Sequence, residues 1–277
     1  MAYIIDKILE GKPFFISENR FIDVLEKASE VLEAENLVEK SWDEFLVVGD
    51  THGDLSATVQ AVQYGMDNHI PAIFLGDYVD RGDEQLENLI FLLSLKIEHP
   101  SSIILLRGNH ETLKMNQYYG FRDELLEHFP ENFFDVIIGL YELLPVAAVI
   151  NDGYFMVHGG IPSSIENIDE IKDLSLSDGA YDELLWNDPT EEEDGFAYNN
   201  LRGIGHLFGK TVFDDFLEKN DMEMVFRAHQ AFEDGYRYFF DDKLLSLFSV
   251  PDYRDENDAK FCKVSEDGVE LIDISKE

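Results

Sequence analysis

The chain has 277 residues, 45% of them hydrophobic, so it can bury a sizeable core and disorder is excluded as its default state. Asp and Glu number 58 against 21 Lys and Arg, a formal net charge of −37, and a surface of that sign repels nucleic acid and anionic membranes. The lone Cys262 excludes an internal disulfide framework, the charged N-terminus does not read as a signal peptide, and no apolar run approaches the roughly 20 residues needed to cross a bilayer.

A cytoplasmic protein with no nucleic-acid or membrane partner is the expectation, its acidic surface serving as a solvated shell. The spacing of Phe21, Val24, Leu25, Ala28, Val31 and Leu32 predicts a packing helix over about 18–35, with Ser17 as its N-cap. Next come short apolar runs at Phe45–Val48, 72–75 and 103–106, separated by helical spacing over 55–66 and 86–97. Such alternation indicates βαβ units and a largely parallel sheet. After Pro145 the strands lie closer together: 146–150 and Tyr154–Val157 flank an Asn151-Asp152-Gly153 hairpin signal, and runs at 224–226, 236–240, 244–250 and 269–274 follow. This many strands predicts a second sheet packed on the first. The expected fold class is α/β, a central two-sheet β-sandwich flanked by helices, in one domain spanning 1–277.

Three phrases stand just after the first three apolar runs: Gly49-Asp50-Thr51-His52-Gly53-Asp54, Gly76-Asp77-Tyr78-Val79-Asp80-Arg81-Gly82 and Arg107-Gly108-Asn109-His110-Glu111. Strand carboxyl ends are where open α/β sheets gather ligand-binding loops. Asp50 and His52 can point at one metal, Asp77 is placed to bridge two, and Asn109 offers a neutral oxygen to the second. His158 and His229, each after a later apolar run, supply two further imidazoles. Two cations roughly 3.5–4 Å apart can clamp an in-line phosphoryl displacement and lower the pKa of a bridging water. A phosphate dianion calls for more positive charge, and Arg81 and Arg202 are the candidates because a guanidinium fork holds two phosphate oxygens. His110 suits leaving-group protonation, with Asp80 to orient it. Arg107 and Arg227 are expected in internal ion pairs. His69, His99 and His128 read as structural, and His206 as structural rather than catalytic.

Together with Val157-His158-Gly159-Gly160 and Arg227-Ala228-His229-Gln230, the three phrases resemble the phosphoprotein phosphatase family of metal-dependent Ser/Thr phosphatases, within the calcineurin-like metallophosphoesterases. The resemblance covers about 45–264. The early phrases are shared across the wider group; Leu185-Trp186-Asn187-Asp188-Pro189 and Asn200-Leu201-Arg202-Gly203-Ile204-Gly205 look like the protein-phosphatase branch. The resemblance implies two divalent ions, manganese being the expected ion in vitro and iron or zinc also compatible. One would be held by Asp50, His52 and Asp77, the other by Asp77, Asn109, His158 and His229. It implies a His110–Asp80 acid pair, phosphate contacts from Arg81, Asn109 and Arg202, and an overhanging Tyr253. After Tyr253 the chain reads Arg254-Asp255-Glu256-Asn257-Asp258, a departure from many eukaryotic relatives. The implied activity is hydrolysis of phosphoserine and phosphothreonine in phosphoproteins or phosphopeptides by metal-bound hydroxide. The alternatives are a nucleotide phosphohydrolase of the diadenosine tetraphosphatase type and a catalytically silent binding module.

Overall fold

Side-chain alternation along the strands decides which residues face which layer. The structure, a computed structural model, describes residues 1–32, 35–253 and 257–275. Its strands are β1 (Leu37–Lys40), β2 (Phe45–Val48), β3 (Ala72–Phe74), β4 (Ile103–Leu105), β5 (Ala147–Ile150) and β6 (Tyr154–Val157). Three short strands follow, β7 (Asp188–Pro189), β8 (Phe196–Tyr198) and β9 (His206–Phe208). The last five are β10 (Met224–Arg227), β11 (Tyr236–Phe239), β12 (Leu244–Leu247), β13 (Lys260–Ser265) and β14 (Gly268–Asp273). One sheet has the order β14-β13-β2-β3-β4 and the other β1-β5-β6-β10-β12-β11, while β7, β9 and β8 form a small third sheet. The run β2-β3-β4 is parallel, and β13 adds to it antiparallel.

Phe45 and Val47 of β2 point inward, with Ile73, Ile104 and Cys262, against Ala148, Met156, Phe226 and Leu245 of the six-stranded sheet. Their neighbours Leu46, Val48, Phe74 and Leu105 point outward, where helices cover them. Those helices are α1 (Ala2–Leu9), α2 (Glu18–Val31), α3 (Leu55–Asn68) and α4 (Gln85–Glu98), with α6 (Phe121–His128) and α7 (Asn132–Tyr141) after the short α5 (Leu113–Tyr119), which packs on α6 instead. On the far side α8 (Gly179–Trp186), α9 (Lys210–Lys219) and the 3₁₀ segment Ile168–Asp173 cover Val149, Phe155, Val157 and Val225. The two-sheet sandwich flanked by helices is the observed architecture. Among the described residues no helix is long and apolar enough to cross a membrane.

Several expected boundaries move. The helix expected over 18–35 ends at Val31, Ser17 precedes it without a side-chain capping bond, and residues 33 and 34 of that expectation lie outside the described residues. The run 244–250 leaves its strand after Leu247, because Phe248 bridges to Asp50 and Ser249 N–H donates to the Asp50 carbonyl. β1 and β13 were not anticipated. In β13 the alternation is interrupted by Lys263, which reaches out to Glu44. The hairpin signal holds: Asn151 and Asp152 both have φ near +55°, the left-handed pair of a type I′ turn joining β5 to β6.

A candidate dinuclear metal centre

Each of the three phrases is a turn from a strand end to a helix start. Asp54 closes the first by accepting from Ala57 N–H at the N-terminus of α3, and Thr112 does the same for α5. These turns are tight. His52, Asp77, Asp80, Arg81 and His229 all take positive φ, a conformation that non-glycine residues hold only where their surroundings enforce it. For Asp77 the enforcer is Glu111. One Glu111 oxygen accepts from Asp77 N–H at 2.7 Å and Gly108 N–H at 2.8 Å, and the other from Tyr78 N–H at 2.8 Å. Gly108 has no substitute here, since a Cβ on it would lie 2.2 Å from Asp77 Oδ1.

The two sheets contribute donors from opposite sides. Asp50, His52, Asp77 and Asn109 follow β2, β3 and β4, while His158 and His229 follow β6 and β10. All six are buried. Two groups have donor atoms within 4.8 Å of one another, His52–Asp77–His110 and Asp77–His158–His229, so Asp77 is common to both. Asp50 lies beside the first: its Oδ2 is 3.9 Å from His52 Nε2, and its Oδ1 accepts from His229 N–H at 3.0 Å. Asn109 Oδ1 is 2.9 Å from His158 Nε2. All the expected ligand residues are thus brought together.

The hydrogen bonds around the imidazoles test whether these groups suit cations. His52 Nδ1 is 3.0 Å from the Val79 carbonyl and His158 Nδ1 is 3.0 Å from that of Leu75. A carbonyl only accepts, so both Nδ1 atoms carry the proton and both Nε2 atoms present lone pairs. The lone pair of His52 faces Asp77 Oδ2 at 3.7 Å, and that of His158 faces Asp77 Oδ1 at 3.4 Å. Imidazole lone pairs and carboxylate oxygens thus converge on one buried space, an arrangement that cations between them would satisfy. His229 Nδ1 lies 3.1 Å from His158 Nε2, while its Nε2 is buried with no hydrogen-bond partner among the described residues.

Electrostatics agree. Burial pushes the Asp50 carboxyl up to about 7, against the opposing His229 N–H, and raises Asp77 well above its ordinary range, helped by the nearby Asp50 charge. Burial likewise holds His52, His158 and His229 well below the usual imidazole value, hence neutral, the form that ligates metals. Carboxylates that resist ionising alone and neutral imidazoles aimed at them are a donor set fitted to divalent ions.

His110, a member of the first group, has Nε2 4.0 Å from Asp77 Oδ2 and Nδ1 2.7 Å from Asp80 Oδ2. The cleft over these residues, about 960 Å³, is rimmed by Arg81, Arg202, Tyr119, Trp186 and Tyr253. Among the described residues Arg81 has no ion pair; its guanidinium lies 4.4 Å from the Tyr119 ring and 5.4 Å from the Tyr253 ring. Tyr253 stacks on His52 at 5.4 Å. Residues 254–256, which include most of the expected departure after Tyr253, lie outside the described residues.

Arg227 is internally paired, with Nη2 2.9 Å from Asp188 Oδ1. Arg107 departs from expectation: it donates to the Glu111 carbonyl and the Tyr181 hydroxyl and forms no ion pair among the described residues, because the buried carboxylate beside it, Glu111, is filled by main-chain N–H groups. His69 and His99 end α3 and α4, His128 lies in the last turn of α6, and His206 on β9 faces Glu183. Sequence reasoning missed Glu111 and Asp188, although both stand inside quoted phrases. It also missed Asn116, which no motif marked.

The calcineurin-like phosphoesterase family model matches residues 44–232. Among solved structures, a protein serine/threonine phosphatase from Saccharomyces cerevisiae, described as similar to human phosphatase PP5, is 28% identical with a TM-score of 0.89, covering 100% of this chain and 96% of its own. A cold-active protein-tyrosine phosphatase of a psychrophilic Shewanella sp. matches at 15% identity and TM-score 0.60, covering 89% of this chain and 84% of that one. A putative diadenosine tetraphosphatase matches at 15% and 0.51, covering 88% and 100%. The last two show a shared fold. A family match over residues 44–232, on a chain whose buried donors already converge as described, means that this protein belongs to the calcineurin-like phosphoesterases, whose members use a dinuclear divalent metal centre.

Proposed function

We propose that this chain is a Ser/Thr protein phosphatase acting as one catalytic unit over 1–277. The observation that carries the reading is the full-length likeness to the yeast Ser/Thr phosphatase, joined here to two rim arginines facing the metal groups. Asp50, His52 and Asp77 would hold one ion, and Asp77, Asn109, His158 and His229 the other. Mixed oxygen and imidazole donors suit manganese, iron or zinc. Two such ions would supply positive charge for phosphoryl oxygens and would lower the pKa of a bound water.

The chain's own residues do the remainder. Arg81 and Arg202 bind phosphate oxygens, with Asn109 beside them. Arg202 is aimed by Asp188, which takes both Nε and Nη2. Arg81 is flanked by Tyr119 and Tyr253, which leaves its fork for phosphate. His110 carries a proton on Nε2 to the leaving serine or threonine oxygen, while Asp80 at Nδ1 orients the ring and stabilises its cation. Cys262 is buried with its thiol pushed up, so a covalent cysteinyl route has no nucleophile.

The test strips the protein of metal, restores Mn²⁺, Fe²⁺ or Zn²⁺ separately, and compares phosphoserine, phosphothreonine and phosphotyrosine peptides with diadenosine tetraphosphate. Metal-dependent turnover favouring phosphoserine and phosphothreonine is expected. Faster turnover of the dinucleotide or of phosphotyrosine would replace this substrate assignment, and no turnover with any metal would mark a silent binding module.

A further inference from the structure

Asn116 lies on α5, six residues after His110, and is only 1% exposed. Its side-chain nitrogen donates to two acceptors, Asp80 Oδ2 at 3.0 Å and the main-chain oxygen of His110 at 2.7 Å. Asp80 Oδ2 is the same atom that faces His110 Nδ1 at 2.7 Å. One NH₂ group therefore ties the backbone of the imidazole residue to the carboxylate that orients its ring.

The amide has one workable orientation. Turned over, its oxygen would meet a carboxylate and a carbonyl with no proton between them. The orientation it keeps leaves Asn116 Oδ1 buried and without a partner, which costs about 1–3 kcal/mol. The fold tolerates that loss to keep both donors where they are. Asp80 is held elsewhere as well: its Oδ1 accepts from Phe121 N–H at 3.1 Å, and its own N–H donates to Gln85 Oε1 at 2.8 Å. Among the described residues only the Asn116 bond bears on the oxygen that His110 uses.

We propose that Asn116 is a positioning residue for leaving-group protonation, fixing the Asp80 carboxylate and the His110 backbone relative to each other so that His110 Nε2 stays aimed into the cleft. Asn116 is not among the residues lining that cleft, so it acts through Asp80 and His110. The inference rests on His110 being the acid.

Leaving-group chemistry separates this role from a structural one. A serine alkoxide is strongly basic and leaves poorly unless protonated as the P–O bond breaks, whereas p-nitrophenolate departs as a stable anion. Asn116→Leu keeps the number and branching of side-chain heavy atoms and removes both donors. On a phosphoserine peptide its kcat is expected to fall about 10- to 100-fold with little change in KM, since the acid is misaligned but present. On p-nitrophenyl phosphate the fall is expected to stay below about 3-fold, with metal content unchanged. Equal losses on both substrates, or a change confined to KM, overturn the proposal. Asn116→Ser, which retains one donor, gives an intermediate and equally selective loss and serves if the leucine variant does not fold. In a His110→Asn background Asn116→Leu is expected to add nothing; a further multiplicative loss would count against it. If His110→Asn itself slows both substrates equally, the acid assignment fails and this inference with it. If His110→Asn is selective and Asn116→Leu is not, only this inference fails.

Discussion

Both carboxylate oxygens of Asp188 are engaged by Arg202, and one of them also accepts from the fully buried Arg227. One carboxylate thus neutralises a structural arginine and aims a second at the cleft. Asn199 adds a third donor to the same group at 2.9 Å.

Removing that carboxylate should have two separable effects. Asp188→Ala leaves Arg227 buried without its ion pair and is expected to cost about 3–5 kcal/mol of stability in urea unfolding. It also frees Arg202 to swing, so inorganic phosphate should inhibit the variant less strongly than the parent. Unchanged phosphate inhibition would mean that Arg202 is positioned by its contact to the His229 carbonyl alone.

His110→Asn should lower kcat on phosphoserine peptides by about two to four orders of magnitude, the usual scale of lost general acid catalysis. The ion of the Asp77, His158 and His229 group should be retained, and a loss of the other equivalent would show that His110 also ligates within the His52, Asp77 and His110 group. A variant with normal turnover would show that another group protonates the leaving oxygen.

Asp77 is the one residue common to both donor groups. Asp77→Asn is therefore expected to lose both ions, which metal analysis of the purified protein reads directly. A variant that keeps one equivalent would mean that the two sites fill independently.

The metal-stripped protein should respond to pH in an unusual direction. Burial raises Asp50 to about 7 from an ordinary 3.8, so the folded chain binds this proton more tightly than the unfolded one. The associated stability is complete below the unfolded value and is lost as pH rises towards 7, where the carboxylate must ionise in a buried setting. Melting temperatures of stripped protein are expected to fall over that window, and Asp50→Asn should flatten the fall. Added metal should reverse it, because ligation requires the ionised carboxylate. A stripped protein that grows more stable across the window would contradict the electrostatic account.

Much of the site was legible because its donors sit in turns with fixed chemistry. Asp50, His52, Asp77 and Asn109 each follow a short apolar run, and the parallel order of β2, β3 and β4 brings those turns to one end of a sheet. The facing sheet was legible, β1 excepted, as a set of strands but not as an order, since β10 and β12 are parallel neighbours separated by the β11 hairpin. β13 escaped notice because Lys263 breaks its apolar pattern, yet it lies inside its sheet, between β14 and β2. Supporting residues were the hardest to read. Glu111 and Asn116 owe their roles to hydrogen bonds with residues 30 or more positions away, and nothing in local spacing reports such partners.

The Asp50 turn has a consequence for how the centre keeps its ions. Asp50 bridges to Phe248, its carbonyl takes Ser249 N–H, and its carboxylate takes His229 N–H, so the loop after β2 is stitched to chain belonging to the opposite sheet. Ions held there would clasp the two sheets across the seam, so metal loading should slow the opening of the sandwich itself. Hydrogen exchange at the buried amides of β2 and β12 should be slower in the loaded than in the stripped protein, a readout that touches no side chain.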